Sequence, residues 1–168
     1  MSKWDKGVDF ETAYRAILNK IRSVKRDRTR CYLMVALIQL RNGSRISESI
    51  RAFKEWIKTN KTELYIKVSK KRREESRLMV IPQEILNYRL LCVDLLDVND
   101  KTLRERVRAT LYYYFNINTH SLRYAFITHL LRSGVNPALV SKMIRHSRLD
   151  TLLSYVQVKE ADNILKKL

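Results

Sequence analysis

Hydrophobic residues recur along most of this chain at the three- and four-residue spacing of helices with one buried face. Only two prolines and three glycines interrupt the pattern, so helices should dominate the fold. The predicted helices are Asp9–Val24, Asp27–Arg41, Ser44–Thr59, Gln83–Leu96, Lys101–Phe115, Ser121–Arg132, Pro137–Arg145 and Leu149–Val156, with one more short helix in the tail 159–168.

Two short segments alternate with a period of two residues instead. Glu63–Ser69 and Arg77–Pro82 are rich in β-branched, aromatic and other apolar residues, and a polar run separates them. This pattern is typical of an antiparallel hairpin. The chain is therefore predicted to be mainly α with one small β-hairpin, and its 168 residues suit a single domain.

Charge suggests the partner. The chain has 34 Lys and Arg against 17 Asp and Glu, a net charge of +17. Self-repulsion of this size is relieved by a polyanion, usually nucleic acid or an anionic membrane surface. Several basic runs on one compact domain favour contacts to a nucleic-acid phosphate backbone. Membrane insertion is disfavoured because the longest apolar stretch, Cys31–Leu40, has half the length of a spanning helix. The candidate DNA contacts lie in two basic runs and are Lys20, Arg22, Lys25, Arg26, Arg28, Arg30, Lys70, Arg72 and Arg73.

The two cysteines, Cys31 and Cys92, occupy apolar surroundings. Buried free thiols in a reducing compartment are expected, in preference to a disulfide. The Cys and His spacing does not suit zinc, and three glycines cannot build a phosphate-binding loop. The sequence therefore predicts neither a metal nor another cofactor.

All three histidines fall within Thr119–Val158. On a helix beginning near Thr119, His120 and Arg123 share a face. A path of helices and turns could bring His146 and Tyr155 into the same pocket. Taken alone, the His–Arg pair fits a capped surface helix equally well. Tyr155 taken alone is more often a core or surface tyrosine.

The stretch "HSLRYAFITHLLRSGVNPALVSKMIRHSRLDTLLSYVQV" resembles the C-terminal signature of the tyrosine recombinases, the phage integrase family. That pattern is H-x-L-R, an apolar helix, a Gly, a helix ending in Gly-His, and a nucleophilic tyrosine. The matching positions are His120, Leu122, Arg123, Gly134, His146, Ser147 and Tyr155. The implied fold is the catalytic domain of these enzymes that break and rejoin DNA.

Two upstream segments extend the resemblance. "NGSRISESIRAF" resembles the segment that carries the first catalytic arginine of the family, which maps to Arg45. The hairpin resembles the family's strand–turn–strand with a catalytic lysine, for which Lys71 fits best and Lys70 is the alternative. The sequence departs from the family at Ser44, Tyr124 and Arg145, which stand for the usual Leu, His and Gly.

The resemblance implies a mechanism. Arg45 and Arg123 would hold the phosphate oxygens, and His120 and His146 would add hydrogen bonds or accept a proton. Tyr155 would attack phosphorus, and Lys71 would protonate the leaving 5′ oxygen. The product would be a 3′-phosphotyrosine, formed without a metal.

The resemblance also implies an organisation. Residues 1–168 are expected to form one catalytic domain, with an N-terminal helix to about residue 25 and a tail at 159–168. Because the catalytic segments begin early, a separate DNA-clamping domain is not expected here. The chain is predicted to be a fragment of a longer integrase, with a naturally minimal enzyme as the alternative, and the implied partner is double-stranded DNA. Family members act as tetramers on DNA, and a monomer is expected in solution. The tail could dock on a neighbouring subunit or on its own domain, and the expected location is the host cytoplasm or nucleoid.

Two other functions remain open from the sequence. A type IB topoisomerase-like enzyme shares the Arg, Lys, His and Tyr chemistry but relaxes DNA without exchanging strands. A non-catalytic relative would only bind DNA. The DNA target sequence and the host cannot be read from the chain.

Overall fold

The computed structural model describes residues 8–69, 74–145 and 161–168. The described part is mainly helical, with one two-stranded antiparallel sheet. In chain order the elements are α1 (Phe10–Ser23), α2 (Asp27–Asn42), α3 (Ile46–Thr59), β1 (Glu63–Lys67), β2 (Ser76–Val80), a 3-10 segment (Gln83–Asp97), α4 (Asp100–Phe115), α5 (Thr119–Arg132) and α6 (Pro137–Ile144).

The predicted elements are confirmed wherever the structure describes them, with one change of type. Gln83–Asp97 forms successive 3-10 turns in place of an α-helix. Buried Cys92 and Leu95 in this segment are three residues apart, which suits three residues per turn, and so short a pattern cannot be told from an α-helix in the sequence. Residues 161–165 are helical, as predicted for the tail. The predicted helix Leu149–Val156 lies outside the described residues.

Helix α2 forms the centre of the domain. Its residues from Leu33 to Leu40 are all buried, because it packs against α1, α3, α4, α5 and the 3-10 segment. A helix that is apolar on every side is stable only when other elements surround it. Its C-terminal end is thereby fixed at the point where the chain turns into α3. None of the helices in the described ranges is long and apolar enough to cross a membrane.

The hairpin packs one face against the core. β1 pairs with β2 in a register that sets Glu63 opposite Val80 and Lys67 opposite Ser76. Leu64, Ile66 and Met79 point inward and are buried. Arg77 shares this inward face and is only 3% exposed. An arginine in a core-facing strand position requires polar partners inside the protein.

The expectation of free thiols is wrong. Cys31 of α2 and Cys92 of the 3-10 segment form a disulfide, with their Cα atoms 5.9 Å apart. The two residues are separated by 61 positions, so only the packing of the 3-10 segment on α2 brings them within bonding distance. Cysteine count and apolar surroundings could not reveal this proximity.

The disulfide should contribute substantially to stability. Closing a loop of this length removes conformational freedom from the unfolded chain, and we expect about 4 kcal/mol less free energy of unfolding after reduction. The measurement is guanidinium unfolding of the wild type with and without reductant. A Cys31→Ala/Cys92→Ala variant serves as the control and should not respond to reductant. Equal wild-type midpoints in both conditions would contradict the expectation.

Candidate active site

The turn between α2 and α3 positions Arg45. Gly43 ends α2 in the left-handed region, with φ 56°, and Arg45 is the N-cap of α3. The carboxylate of Glu48, three residues later, accepts a hydrogen bond from the Arg45 backbone N–H at 3.2 Å. The same carboxylate accepts from Nη1 of Arg45 at 3.1 Å. This local pair holds the Arg45 guanidinium beside the helix start while leaving 26% of its side chain exposed.

Arg123 approaches the same turn from α5. Its Nη1 donates to the carbonyl oxygen of Gly43 at 2.9 Å, and its Nη2 donates to that of Ile144 at 3.4 Å. Burial first, and then the positive charge of Arg45, lower the pKa of Arg123 to about 10. The two arginines predicted from the sequence therefore lie close enough to repel each other. Both remain cations at neutral pH.

Glu48 is the anion of a cluster that also contains Arg45, Arg77 and Arg123, called the arginine cluster below. Its side chain is fully buried, and it faces the guanidinium groups of Arg45 and Arg77. It also accepts a hydrogen bond from the backbone N–H of Ser69 at 3.2 Å. A single buried carboxylate thus joins the start of α3, the end of β1 and the middle of β2.

Ser69, which directly precedes the predicted lysine turn, is held at several atoms. Its hydroxyl hydrogen-bonds to that of Ser47 at 2.8 Å and accepts from the guanidinium of Arg51. Its carbonyl oxygen accepts from Nη1 of Arg45 at 3.4 Å. Because its N–H donates to Glu48, the end of β1 is fixed directly to the arginine cluster.

Gln39 fixes the start of α5 beside the same turn. Its side-chain amide donates to the carbonyl oxygens of Ser44 at 3.1 Å and Thr119 at 2.9 Å. His120, the next residue after Thr119, is exposed, whereas Arg123 is only 6% exposed. The structure therefore places the predicted His–Arg pair on one helix, with the arginine buried in the cluster and the histidine at the surface.

Several predicted site residues lie outside the described residues. They are Lys70, Lys71, Arg72, Arg73, His146 and Tyr155.

Arg145, directly before His146 in the sequence, stands where the family pattern has a glycine. It adopts the left-handed conformation with φ 51° and ends α6. Glycine adopts this conformation freely, while other residues incur a cost of roughly 1–2 kcal/mol. Nε of Arg145 lies 3.3 Å from Oε1 of Glu75 at the hairpin, so the substituted arginine adds an ion pair there.

The basic run Lys20–Arg30 lies at the end of α2 that is opposite Gly43. A helix of 16 residues is about 24 Å long, which separates this run from the arginine cluster. Arg22, Lys25, Arg26 and Arg28 are exposed, and Arg28 pairs with Asp94 at 3.2 Å.

Two other cations of this run are engaged within the protein. Arg30 donates to the carbonyl oxygens of Ile21 and Val24, and Lys20 lies over the ring of Tyr114.

Sequence reasoning missed Arg77 and the Ser47–Arg51–Ser69 contacts. A signal for Arg77 existed, because strand alternation sets it on the same face as the buried Met79 and Ile81. The contacts of Ser69 had no comparable signal, since they depend on how β1 packs against α3.

Comparisons with known proteins identify the family of the chain. A model of the phage integrase family matches residues 96–162. ORF241 of Acidianus two-tailed virus, a candidate integrase by its name, is 35% identical over 168 residues, covering 98% of this chain and 68% of that protein. A tyrosine recombinase of Thermosipho africanus is 34% identical over 55 residues, covering 32% of this chain and 19% of that protein. The crystal structure of XerA recombinase matches with a TM-score of 0.58 at 16% identity, covering 87% of this chain and 58% of that one.

These relatives define the class: the chain belongs to the phage integrase family. Within that family it is an enzyme of the tyrosine recombinase type, like the relative from Thermosipho africanus, and the likeness to XerA recombinase shows the fold. The predicted resemblance and fold are thus confirmed. The names of the relatives favour recombination over the topoisomerase-like alternative.

The geometry of Gly43 yields a prediction. A Cβ atom at this position would lie 2.1 Å from Cδ1 of Phe126, in addition to the strain of φ +56°. We expect Gly43→Ala to lower the free energy of unfolding by about 1–3 kcal/mol and to displace the carbonyl that receives Arg123. Thermal denaturation and a DNA cleavage assay measure the two effects.

Gly134→Ala is the matched control for Gly43→Ala. Gly134 also has a positive φ, +82°, but a Cβ atom there meets nothing within 4 Å. It shares the backbone strain without the clash and without a tie to Arg123. Equal losses in the two variants would contradict the role assigned to the Phe126 contact.

Proposed function

We propose that this chain is the catalytic domain of a site-specific DNA recombinase that cuts and rejoins strands through a phosphotyrosine at Tyr155. The observation that carries the proposal is the convergence of Arg45 and Arg123 beside the buried carboxylate of Glu48. Two fixed guanidinium groups match the charge that develops on the non-bridging oxygens of a phosphodiester under attack. Family membership supplies the reaction type.

The reaction conserves the number of phosphoester bonds. The phenolic oxygen of Tyr155 forms a bond to phosphorus, and the bond from phosphorus to the 5′ oxygen breaks. The phenol loses its proton as it attacks, so that proton must pass to a base, for which His146 or His120 is suited. Lys71, or Lys70 in its place, gives a proton to the departing 5′ oxygen. The reverse attack by a 5′ hydroxyl of another strand rejoins the DNA.

The anchoring of Ser69 supports a lysine on the following turn as the proton donor. Ser69 hydrogen-bonds to Glu48 and Arg45, so the residue that directly precedes the predicted lysine turn lies at the arginine cluster. Lys70 and Lys71 are the next two residues in the sequence. A primary ammonium on a long, flexible side chain is suited to donate a proton to the departing 5′ oxygen.

We further propose that the enzyme acts as a homotetramer on DNA, monomeric without it, and that residues 1–168 form one catalytic domain. The tail supports docking on a neighbour, because Ile164, Leu165 and Leu168 are 56%, 72% and 98% exposed. Apolar residues this exposed are available to a partner subunit. Docking on its own domain is the alternative.

Covalent trapping tests the proposal. A nicked duplex that loses a short fragment on cleavage should accumulate a protein–DNA adduct with the wild type, with EDTA present. We expect Tyr155→Phe to abolish the adduct, because phenylalanine lacks the attacking oxygen. The readout is denaturing gel electrophoresis with mapping of the linked residue.

Tyr113→Phe is the control for this test. Tyr113 is 80% exposed on α4, so the change removes a hydroxyl without disturbing the core. It should form the adduct at the wild-type rate. An adduct formed by Tyr155→Phe would show that another side chain is the nucleophile.

The run Lys20–Arg30 should contact DNA phosphates away from the cut. Its distance of about 24 Å from the arginine cluster corresponds to about 7 base pairs of one duplex. We expect Arg22→Gln/Lys25→Gln to weaken DNA binding and to reduce the slope of log K against log salt by about 1.8. Binding titrations between low and moderate salt measure this slope.

Lys58→Gln/Lys61→Gln removes the same charge from exposed positions at the end of α3 that is remote from Arg45. This variant should keep the wild-type slope. If both variants lower the slope equally, the effect reflects net charge and Lys20–Arg30 is not a specific contact.

A further inference from the structure

Arg77 occupies a position where a charge is costly. It points into the core from β2 and is 3% exposed, with Met79 and Ile66 as buried neighbours on the sheet. Bringing a guanidinium out of water destabilises the fold unless a compensating charge or a set of acceptors surrounds it. Its presence among apolar side chains therefore calls for a reason within the site.

The compensation for this burial is incomplete. Nη2 of Arg77 donates to the carbonyl oxygen of Asn42, and Nη1 lies 3.7 Å from Oε2 of Glu48. Within the described residues, Nε and Nη1 lack a hydrogen-bond acceptor. Burial lowers the pKa of Arg77 to about 10, with Glu48 opposing that shift. Among the described residues, Arg77 thus has a hydrogen bond to Asn42 and an ion pair with Glu48.

That carboxylate is shared between two arginines. Oε1 of Glu48 faces Arg45 at 3.1 Å, and Oε2 faces Arg77. With Glu48 and Arg45 alone, the carboxylate would cancel the charge that Arg45 offers to a phosphate. With Arg77 on the second oxygen, the four groups Arg45, Arg77, Arg123 and Glu48 carry a net charge of +2 (three positive, one negative).

We propose that Arg77 is a positioning residue that neutralises Glu48 and so leaves the charge of Arg45 free for the DNA phosphate. The inference rests on the proposed function and deepens it. Arg77 itself is too buried to touch DNA, so its effect passes through Glu48. Because opposite charges interact strongly away from water, the state of one buried group determines what its neighbour can offer to a ligand.

A double-mutant cycle tests this role. Arg77→Gln leaves Glu48 facing Arg45 alone, and we expect single-turnover cleavage of the nicked duplex to slow by about 10- to 100-fold, the range typical of partners that act through another residue. The Kd for DNA should change little, since the remote basic run is intact. Arg77→Lys keeps the charge and should recover most of the rate.

The decisive variant is Glu48→Gln/Arg77→Gln. It removes one negative and one positive charge together, so the net charge of the cluster returns to +2. The N–H groups of Arg45 and Ser69 donate to different oxygens of Glu48, and glutamine keeps an acceptor for one of the two. We expect the double variant to cleave faster than Arg77→Gln. A rate equal to or below that of Arg77→Gln would mean that Arg77 serves packing alone, and the inference would be overturned.

A second readout is independent of bond cleavage. Inorganic phosphate is titrated into each variant without DNA, and the shift in melting temperature is recorded. The wild type and the double variant should be stabilised alike, and Arg77→Gln should be stabilised less. Equal stabilisation of all three proteins would overturn the inference about Arg77. This readout is separate from the test of the proposed function, which a wild type that forms no covalent adduct would contradict.

Folding is controlled in the same series. Should Arg77→Gln not fold, the comparison passes to Arg77→Lys and the double variant, in which no buried carboxylate loses its counter-charge. Both are then expected to fold and to match the wild type in phosphate stabilisation. A folded Arg77→Lys variant that loses the phosphate response would overturn the charge-based role.

Discussion

The ionised side chain of Glu48 is the constraint on which the site depends. A carboxylate without solvent exposure must be neutralised and hydrogen-bonded, or it would take up a proton. Here the backbone N–H groups of Arg45 and Ser69 and two guanidinium groups meet that requirement. Since these partners come from α3, β1 and β2, satisfying one anion fixes the relative positions of three elements.

The cluster as a whole still has excess positive charge. Burial first, and then the positive charge of Arg45, lower the pKa of Arg123. This is a destabilising arrangement in the free protein that a bound phosphate relieves, and it is the form of electrostatic preorganisation expected of an enzyme acting on phosphodiesters. The stability needed to hold it comes from elsewhere, chiefly from the buried helix α2 and the disulfide that joins it to the 3-10 segment.

Two departures from the family pattern have local compensations. Ser44, in place of a leucine, is fully buried, and its hydroxyl hydrogen-bonds to that of Ser49 at 2.6 Å. Arg145, in place of a glycine, adopts the left-handed conformation and offsets part of that cost by pairing with Glu75. Nothing in the described residues explains Tyr124, which stands in place of a histidine. The substitutions at Ser44 and Arg145 each have a local polar partner.

By itself, the sequence determined the helices and the hairpin, because periodicity is a local property of the chain. The expectation that Arg45 and Arg123 share a site came from the resemblance to a known family. The tertiary structure decided what depends on distances between remote residues. Cys31 forms a disulfide with Cys92 only because the 3-10 segment packs on α2. Arg77 pairs with Glu48 only because β2 lies beside the start of α3. Strand alternation predicts that Arg77 lies on the inner face, but it does not predict which residue neutralises the buried charge. That partner depends on how separate elements pack, which a local sequence pattern does not reveal.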